Sequence, residues 1–258
     1  NRNWAAFFGT GIVATLDDFG MQGQLPSHPD LLDHLALYLV DKGWSIKALH
    51  RHIVTSDAYR RSSVLTEALA AKPESARLLA RFPRQRLEAE IIRDSALDVA
   101  GVLNGKMFGA PVKPPQPDGV TESAYGKPKW QASAGSDRFR RSIYTYQKRT
   151  APFAMFTTFD AGSGEACIAR RDRSNTPLQA LTLMNDPMFV EIAEEFGQSI
   201  AALEGDATTK AATAFRRALT RPPTERELEK LVTFHAKHDS WPALARALLS
   251  LDEAVTKN

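Results

Sequence analysis

Residues 159–187 read FDAGSGEACIARRDRSNTPLQALTLMNDP, and two turns inside this stretch set the fold class. Asn175-Thr176-Pro177 and Asn185-Asp186-Pro187 each place a capping side chain directly before a proline. Thr176 and Asp186 can accept from free backbone N–H groups, and proline suits the first helical position, so both turns predict helix starts. Two such starts in quick succession concentrate polar groups between helix N-termini, where anions are favoured. The same stretch holds the only cysteine, Cys167, and the adjacent arginines Arg170 and Arg171.

Downstream the helical reading continues. Residues 187–203 keep a helical period, Asp206 caps a helix to about Arg221, and Thr224-x-x-Glu227 is a capping box. A last helix runs from Trp241 to Leu251. Upstream, Pro152 opens a short apolar helix, and before it RSIYTYQK (141–148) is the clearest strand candidate, rich in β-branched and aromatic residues. Residues 104–136 carry five glycines and five prolines, including Pro114-Pro115, and predict an irregular excursion.

A long helix is expected from Leu87 to Leu103, closed by Gly105. Beside its apolar face Arg86, Glu90 and Arg93 stand four and three residues apart, a spacing that lets them touch in a row, with Asp94 adjacent. Nearer the start, residues 1–8 read as a helix stopped at Gly9 and Gly11, and a polar loop follows with Asp17 and Asp18. Ser27 is expected to cap a helix with Pro29 and Asp30, its buried side made of Leu31, Leu32, Leu35, Leu37, Tyr38 and Leu39, ended by Gly43. Ser45 caps the next, on which Ile46, Leu49, Ile53 and Val54 share a face.

The fold class expected is therefore mainly α: a multi-helix globular domain with one small β element and a long Gly/Pro-rich loop. We read 1–258 as a single domain, with a helical part over 1–103, an irregular insertion over 104–136, and the central motif with a helical C-terminal part over 137–258.

Composition fits this picture. Of 258 residues 43% are hydrophobic and 24% charged, ordinary for a globular chain. A net charge of +3 is too small to argue for nucleic acid. No apolar run approaches the roughly 18–20 residues of a membrane helix, so no membrane span is expected. One cysteine excludes an internal disulfide and a paired-cysteine zinc site within these residues. The opening Asn1-Arg2-Asn3-Trp4 reads as the inside of a helix, and the chain is expected to be a piece of a longer protein.

The blocks NRNWAAFFGTGIVATLDDFGMQGQLPSHPDLLDHLA, GWSIKALHRHIVTSDAYRRSS, RFPRQRLEAEIIRDSALDVAG, RRSIYTYQKR and CIARRDRSNTPLQALTLMNDP occur in order along nearly the whole chain. Together they resemble the C-terminal domain of unknown function found in planctomycete cytochrome c-associated proteins, the family numbered 1553. The resemblance implies an exported, periplasmic or extracytoplasmic, multidomain protein with a haem-binding domain upstream, and it brings no established activity. This chain contains no Cys-x-x-Cys-His, so no cofactor is expected within it and covalent haem would belong to an upstream domain.

Several constellations carry candidate chemistry. Cys167 beside Arg170 and Arg171 is either a thiolate with a lowered pKa or a small buried apolar residue. Arg170 and Arg171, with Arg173 and Asn175, form either an anion-binding set or an ion-pair hub with Asp160, Glu90 or Asp94. Of the adjacent pair, one arginine is expected to be buried against a carboxylate and the other to face a cleft. Arg86, Glu90, Arg93 and Asp94 read mainly as a structural network, with a lone carboxylate such as Glu90 or Asp160 open as general acid or base. Asp17, Asp18 and His28 can supply metal ligands or merely make turns and caps. His50 and His52 lie two apart on a helix and point apart. His235 and His238 read as a solvated surface. Arg138, Arg140, Arg141, Lys148 and Arg149 interleave with Phe139, Tyr144 and Tyr146, the pattern of a single-stranded nucleic-acid platform or of an ordinary strand.

The expected ligand set is thus Arg170, Arg171, Asn175, Asp186, Arg86 and Arg93, serving an anionic or sugar-like ligand. The alternative from another class is a non-catalytic scaffold docking the upstream domains, and nucleic acid is the weakest reading.

Overall fold

A computed structural model of the chain describes residues 1–120 and 129–257. Among them helices dominate and one two-stranded sheet is present, so the protein is mainly α. No helix of the described residues is long and apolar enough to cross a membrane. The chain gathers into two compact units, Asn1–Gln85 with the C-terminal Lys257, and Arg86–Thr256.

The N-terminal unit is built on α1 (Arg2–Phe8), α2 (Pro29–Asp41), α3 (Ile46–Val54) and the single turn α4 (Glu67–Ala70). Its core is small and aromatic: Trp4, Phe8, Ile12, Leu35, Leu49, Ile53 and Phe82 are buried. Trp4 stacks on Phe8 at 4.2 Å, and Tyr59 meets Phe82 edge-on at 5.1 Å. Such pairs add specific geometry to a core too small to rely on area alone. Helix α2 ends as expected at Gly43, whose φ of 63° lies in the left-handed region that glycine tolerates. Two expectations fail here. The N-cap of α2 is His28 without a side-chain cap bond, because the Ser27 hydroxyl donates instead to the Ile12 carbonyl at 3.1 Å. Leu37 is exposed, and only Leu35 of this helix is fully buried.

β1 (Gln85–Arg86) pairs with β2 (Thr256–Lys257). The second unit then runs through α5 (Ala89–Ala100), α6 (Ala154–Thr158), α7 (Pro177–Asn185), α8 (Pro187–Ala201), α9 (Ala207–Leu219), α10 (Glu225–His238), α11 (Trp241–Leu249) and α12 (Asp252–Val255). Helix α8 forms its axis, burying Met188, Phe189, Ile192, Ala193, Phe196 and Ile200. Gly197 is a steric requirement: a Cβ there would lie 2.4 Å from the Pro242 nitrogen at the start of α11. The caps read from sequence are in place: Ser45, Thr176, Asp186, Asp206 and Thr224 each accept from a backbone N–H of the first turn.

The helix expected over 87–103 is shorter at both ends. It starts at Ala89, because Gln85–Arg86 is strand, and it stops at Gly101 (φ 80°) rather than at Gly105. The strand expected over 141–148 is absent. Ser142–Tyr144 forms a 3₁₀ turn, with single parallel bridges at Asn104–Arg140 and Val112–Thr145. The cause is a side chain: the Ser142 N–H donates to Asp94 at 2.7 Å, and Tyr144 N–H then closes back on the Arg141 carbonyl, so no ladder forms.

The expected insertion is partly described, residues 121–128 lying outside the described set. Residues 112–116 are not peripheral, although 105–111 are exposed. Val112 and Gln116 are buried, Trp130 Nε1 donates to the Pro114 carbonyl at 2.7 Å, and Lys113 N–H donates to Ser133.

Candidate functional site

The polar stretch after α6 is organised by Asp160. The chain leaves α6 at Phe159 and turns at Asp160, whose φ of 61° is left-handed, a conformation short polar residues bear better than most. That turn points its carboxylate at Ser174. Ser174 donates its backbone N–H to Oδ2 at 2.8 Å and its hydroxyl to the same carboxylate at 2.8–2.9 Å. Arg86 Nη2 donates to Oδ2 at 2.5 Å. Gln179, buried as the N3 residue of the α7 capping box, donates Nε2 to the Thr158 carbonyl and to Ser174 Oγ, both at 3.0 Å. Burial pushes the Asp160 carboxyl up, but the Ser174 hydrogen bonds and the Arg86 charge outweigh it and hold the group below the usual carboxylate range.

Arg86 is used to capacity. Besides Asp160, its Nε donates to the Ser174 carbonyl at 3.0 Å, Nη1 to the Leu87 carbonyl at 3.1 Å, and both terminal nitrogens to the Phe159 carbonyl. The row expected along one helix is therefore dissolved. Arg86 lies on β1, and Glu90 and Arg93 on α5 diverge. Glu90 accepts from Arg171 Nη1 at 2.6 Å. Arg93 is wholly buried, donating to the carbonyls of Arg140 (2.7 Å) and Arg138 (2.6 Å) and to Ser142 Oγ. Burial lowers its pKa to about 10, Asp94 partly opposing, so it stays charged. With no exposed surface it cannot be a ligand contact.

Arg140 repeats this pattern one layer out. Nearly buried, it donates to the carbonyls of Lys106, Phe108 and Ala110 at 2.5–3.2 Å and stacks over Tyr144 at 4.0 Å. Arg138 pairs with Glu191 at 2.8 Å, and Arg141 lies 3.7 Å from Asp94. Of the basic residues read as a nucleic-acid platform, Arg140 is thus buried and Arg138 is paired, while Arg141 and Arg149 stay exposed.

Of the adjacent pair, Arg171 is half-buried against Glu90, with Glu88 at 3.6 Å, while Arg170 is exposed and makes no hydrogen bond or ion pair with the described residues. Asn175 is exposed. Cys167 is exposed as well, which removes the reading of it as a small buried residue. Asp186 is buried and accepts from the Met188 N–H at 2.9 Å as cap of α8. Burial raises its pKa to about 6 against the capping bonds. His235 is half-buried and stacks on Trp241 at 3.7 Å, unlike the solvated residue expected.

Asp17, Asp18 and His28 do not converge. Asp18 accepts from the Gly20 N–H at 2.7 Å in a local turn, and among the described residues no three His, Cys, Asp or Glu side chains form a metal-sized group. His28 instead lines a cleft of about 380 Å³ in the N-terminal unit, walled by Trp4, Phe8, Ile12, Leu79 and Pro83, with Arg77 also on its rim.

Sequence reasoning missed Ser174 and Gln179, and it read Arg140 as a platform residue rather than as an anchor for the 106–110 carbonyls. The Thr176-x-x-Gln179 spacing was a usable signal for Gln179. Nothing in the sequence distinguishes Arg140 from Arg138 or Arg141.

The family model described as protein of unknown function (DUF1553) matches residues 1–235, and the chain belongs to that family. No curated protein and no solved structure matches the chain.

Proposed function

We propose that this domain is a non-catalytic scaffold that docks neighbouring domains of a longer protein. The observation that supports this reading is the fate of its arginines. Arg86, Arg93 and Arg140 direct their donors at main-chain carbonyls, and Arg171 holds Glu90. A guanidinium with its donors taken in this way holds the fold and is closed to a ligand. Leu178, Leu181 and Met184, three residues apart on α7, remain exposed as apolar surface for docking. The family resemblance makes the upstream domains, one of them haem-binding, the partners of choice, and it carries an extracytoplasmic location into the proposal. The test is calorimetric titration of this domain with the upstream domains, beside a thermal-shift panel of sugars, sulfated sugars and carboxylates. The scaffold predicts binding in the first and no shift in the second. Shifts abolished by Arg170→Ala would restore the arginine-lined ligand site instead.

A second reading rests on the cleft at His28 and Arg77. Its volume is in the range of small-molecule sites, and its mostly apolar wall with a few polar groups is the usual composition. It would take a largely apolar ligand, because Arg77 on its rim already holds Glu74 at 2.6 Å. A thermal shift lost in both His28→Ala and Arg77→Ala would favour it.

A further inference from the structure

His34 on α2 and His52 on α3 bring their Nε2 atoms to 3.4 Å, both side chains being exposed. The sequence sets His52 beside His50, yet His50 Nε2 turns to Asn3 Oδ1 at 2.6 Å, and His52 meets a residue eighteen positions away. We propose that His34 and His52 form a two-histidine chelate for a borderline divalent transition-metal ion of the Zn²⁺ class, its remaining coordination positions open to water or to a ligand brought by a partner.

Three observations carry the proposal. The first is distance. Two imidazole nitrogens each about 2.0–2.1 Å from a tetrahedral ion lie about 3.3–3.4 Å apart, which is the separation found. It is long for an N–H···N hydrogen bond, whose heavy atoms prefer about 2.9–3.0 Å. The second is orientation. The Tyr38 ring, one turn beyond His34, stacks on the His52 ring at 4.4 Å and 15°, fixing the plane in which Nε2 projects. The third is anchoring: each histidine is followed directly by a buried core residue, Leu35 and Ile53, so the two backbones are held before any ion arrives. Neutral imidazole suits zinc, copper and nickel rather than calcium or magnesium, which want oxygen ligands. No third His, Cys, Asp or Glu completes a cluster among the described residues, so the site is an open chelate rather than a closed structural centre.

The test is calorimetric titration of the whole chain with ZnCl₂, with MgCl₂ as control, on the natural sequence and on His34→Ala, His52→Ala and the remote surface variant His238→Ala. We expect one Zn²⁺ per chain, binding weakened at least tenfold in either of the first two variants, unchanged binding in the third, and no response to Mg²⁺. Zn²⁺ should also raise the melting temperature of the natural chain and of His238→Ala only, since an ion bound by both helices stabilises the folded state. Absence of Zn²⁺ binding, or binding equal in all four proteins, would overturn the chelate. Matching melting temperatures without metal would show that the variants fold.

Discussion

Arg86 and Asp160, seventy-four residues apart, meet through a 2.5 Å contact, and Arg86 Nε holds the Ser174 carbonyl while Ser174 donates back to Asp160. One guanidinium and one carboxylate thereby fix both ends of the 160–174 loop. The candidate ligand-binding arginine is a bracket for the chain.

This bracket has a pH signature. Asp160 has a folded pKa below its unfolded value, so it adds stability that is complete above about pH 4 and is lost as pH falls through the folded value. Urea midpoints of the natural chain and Asp160→Asn should differ by a constant amount above pH 5, and the gap should narrow as pH falls below about 4. A gap independent of pH would contradict the assignment. Glu227, drawn down to about 2 by Arg221, adds a smaller acid loss because the pair is a third exposed and screened.

Asp186 has the opposite sign. Its pKa is raised to about 6 in the folded protein, so its charge weakens the fold as pH rises from about 4 through 6. Asparagine caps equally well without the charge. Asp186→Asn should therefore stabilise by about 1–2 kcal/mol at pH 7, with the gain fading below pH 5. Chemical denaturation at pH 4 and pH 7 checks it, and a loss at pH 7 would contradict it.

The legible parts of this fold are those whose partners are near in sequence. A cap bonds an N–H two or three residues on, so Ser45, Thr176, Asp186, Asp206 and Thr224 announce themselves. Arg93 and Arg140 do not, because their partners are main-chain carbonyls at Arg138, Arg140 and Lys106 to Ala110. A carbonyl has no residue identity to read. The strand expected over 141–148 fails for a related reason, since its propensity is overridden by Asp94, a distant side chain that captures the Ser142 N–H.

Arg140 offers a direct check of the inserted segment. Its donors to Lys106, Phe108 and Ala110 should protect residues 104–116 from protease in the natural chain. Arg140→Met should open that segment to early cleavage, read by mass spectrometry of timed digests. Equal cleavage in both proteins would show that the guanidinium does not hold it.

The most direct measurement of the central claim is equilibrium urea unfolding of Arg86→Ala beside Arg170→Ala. Arg86 is largely buried and leaves Asp160 without its cation, so its loss should cost about 3–5 kcal/mol. Arg170 is exposed and makes no pair with the described residues, so its loss should stay within about 0.5 kcal/mol. A large loss for Arg86→Ala with none for Arg170→Ala is the predicted result. An Arg86→Ala protein as stable as the natural chain would contradict the account.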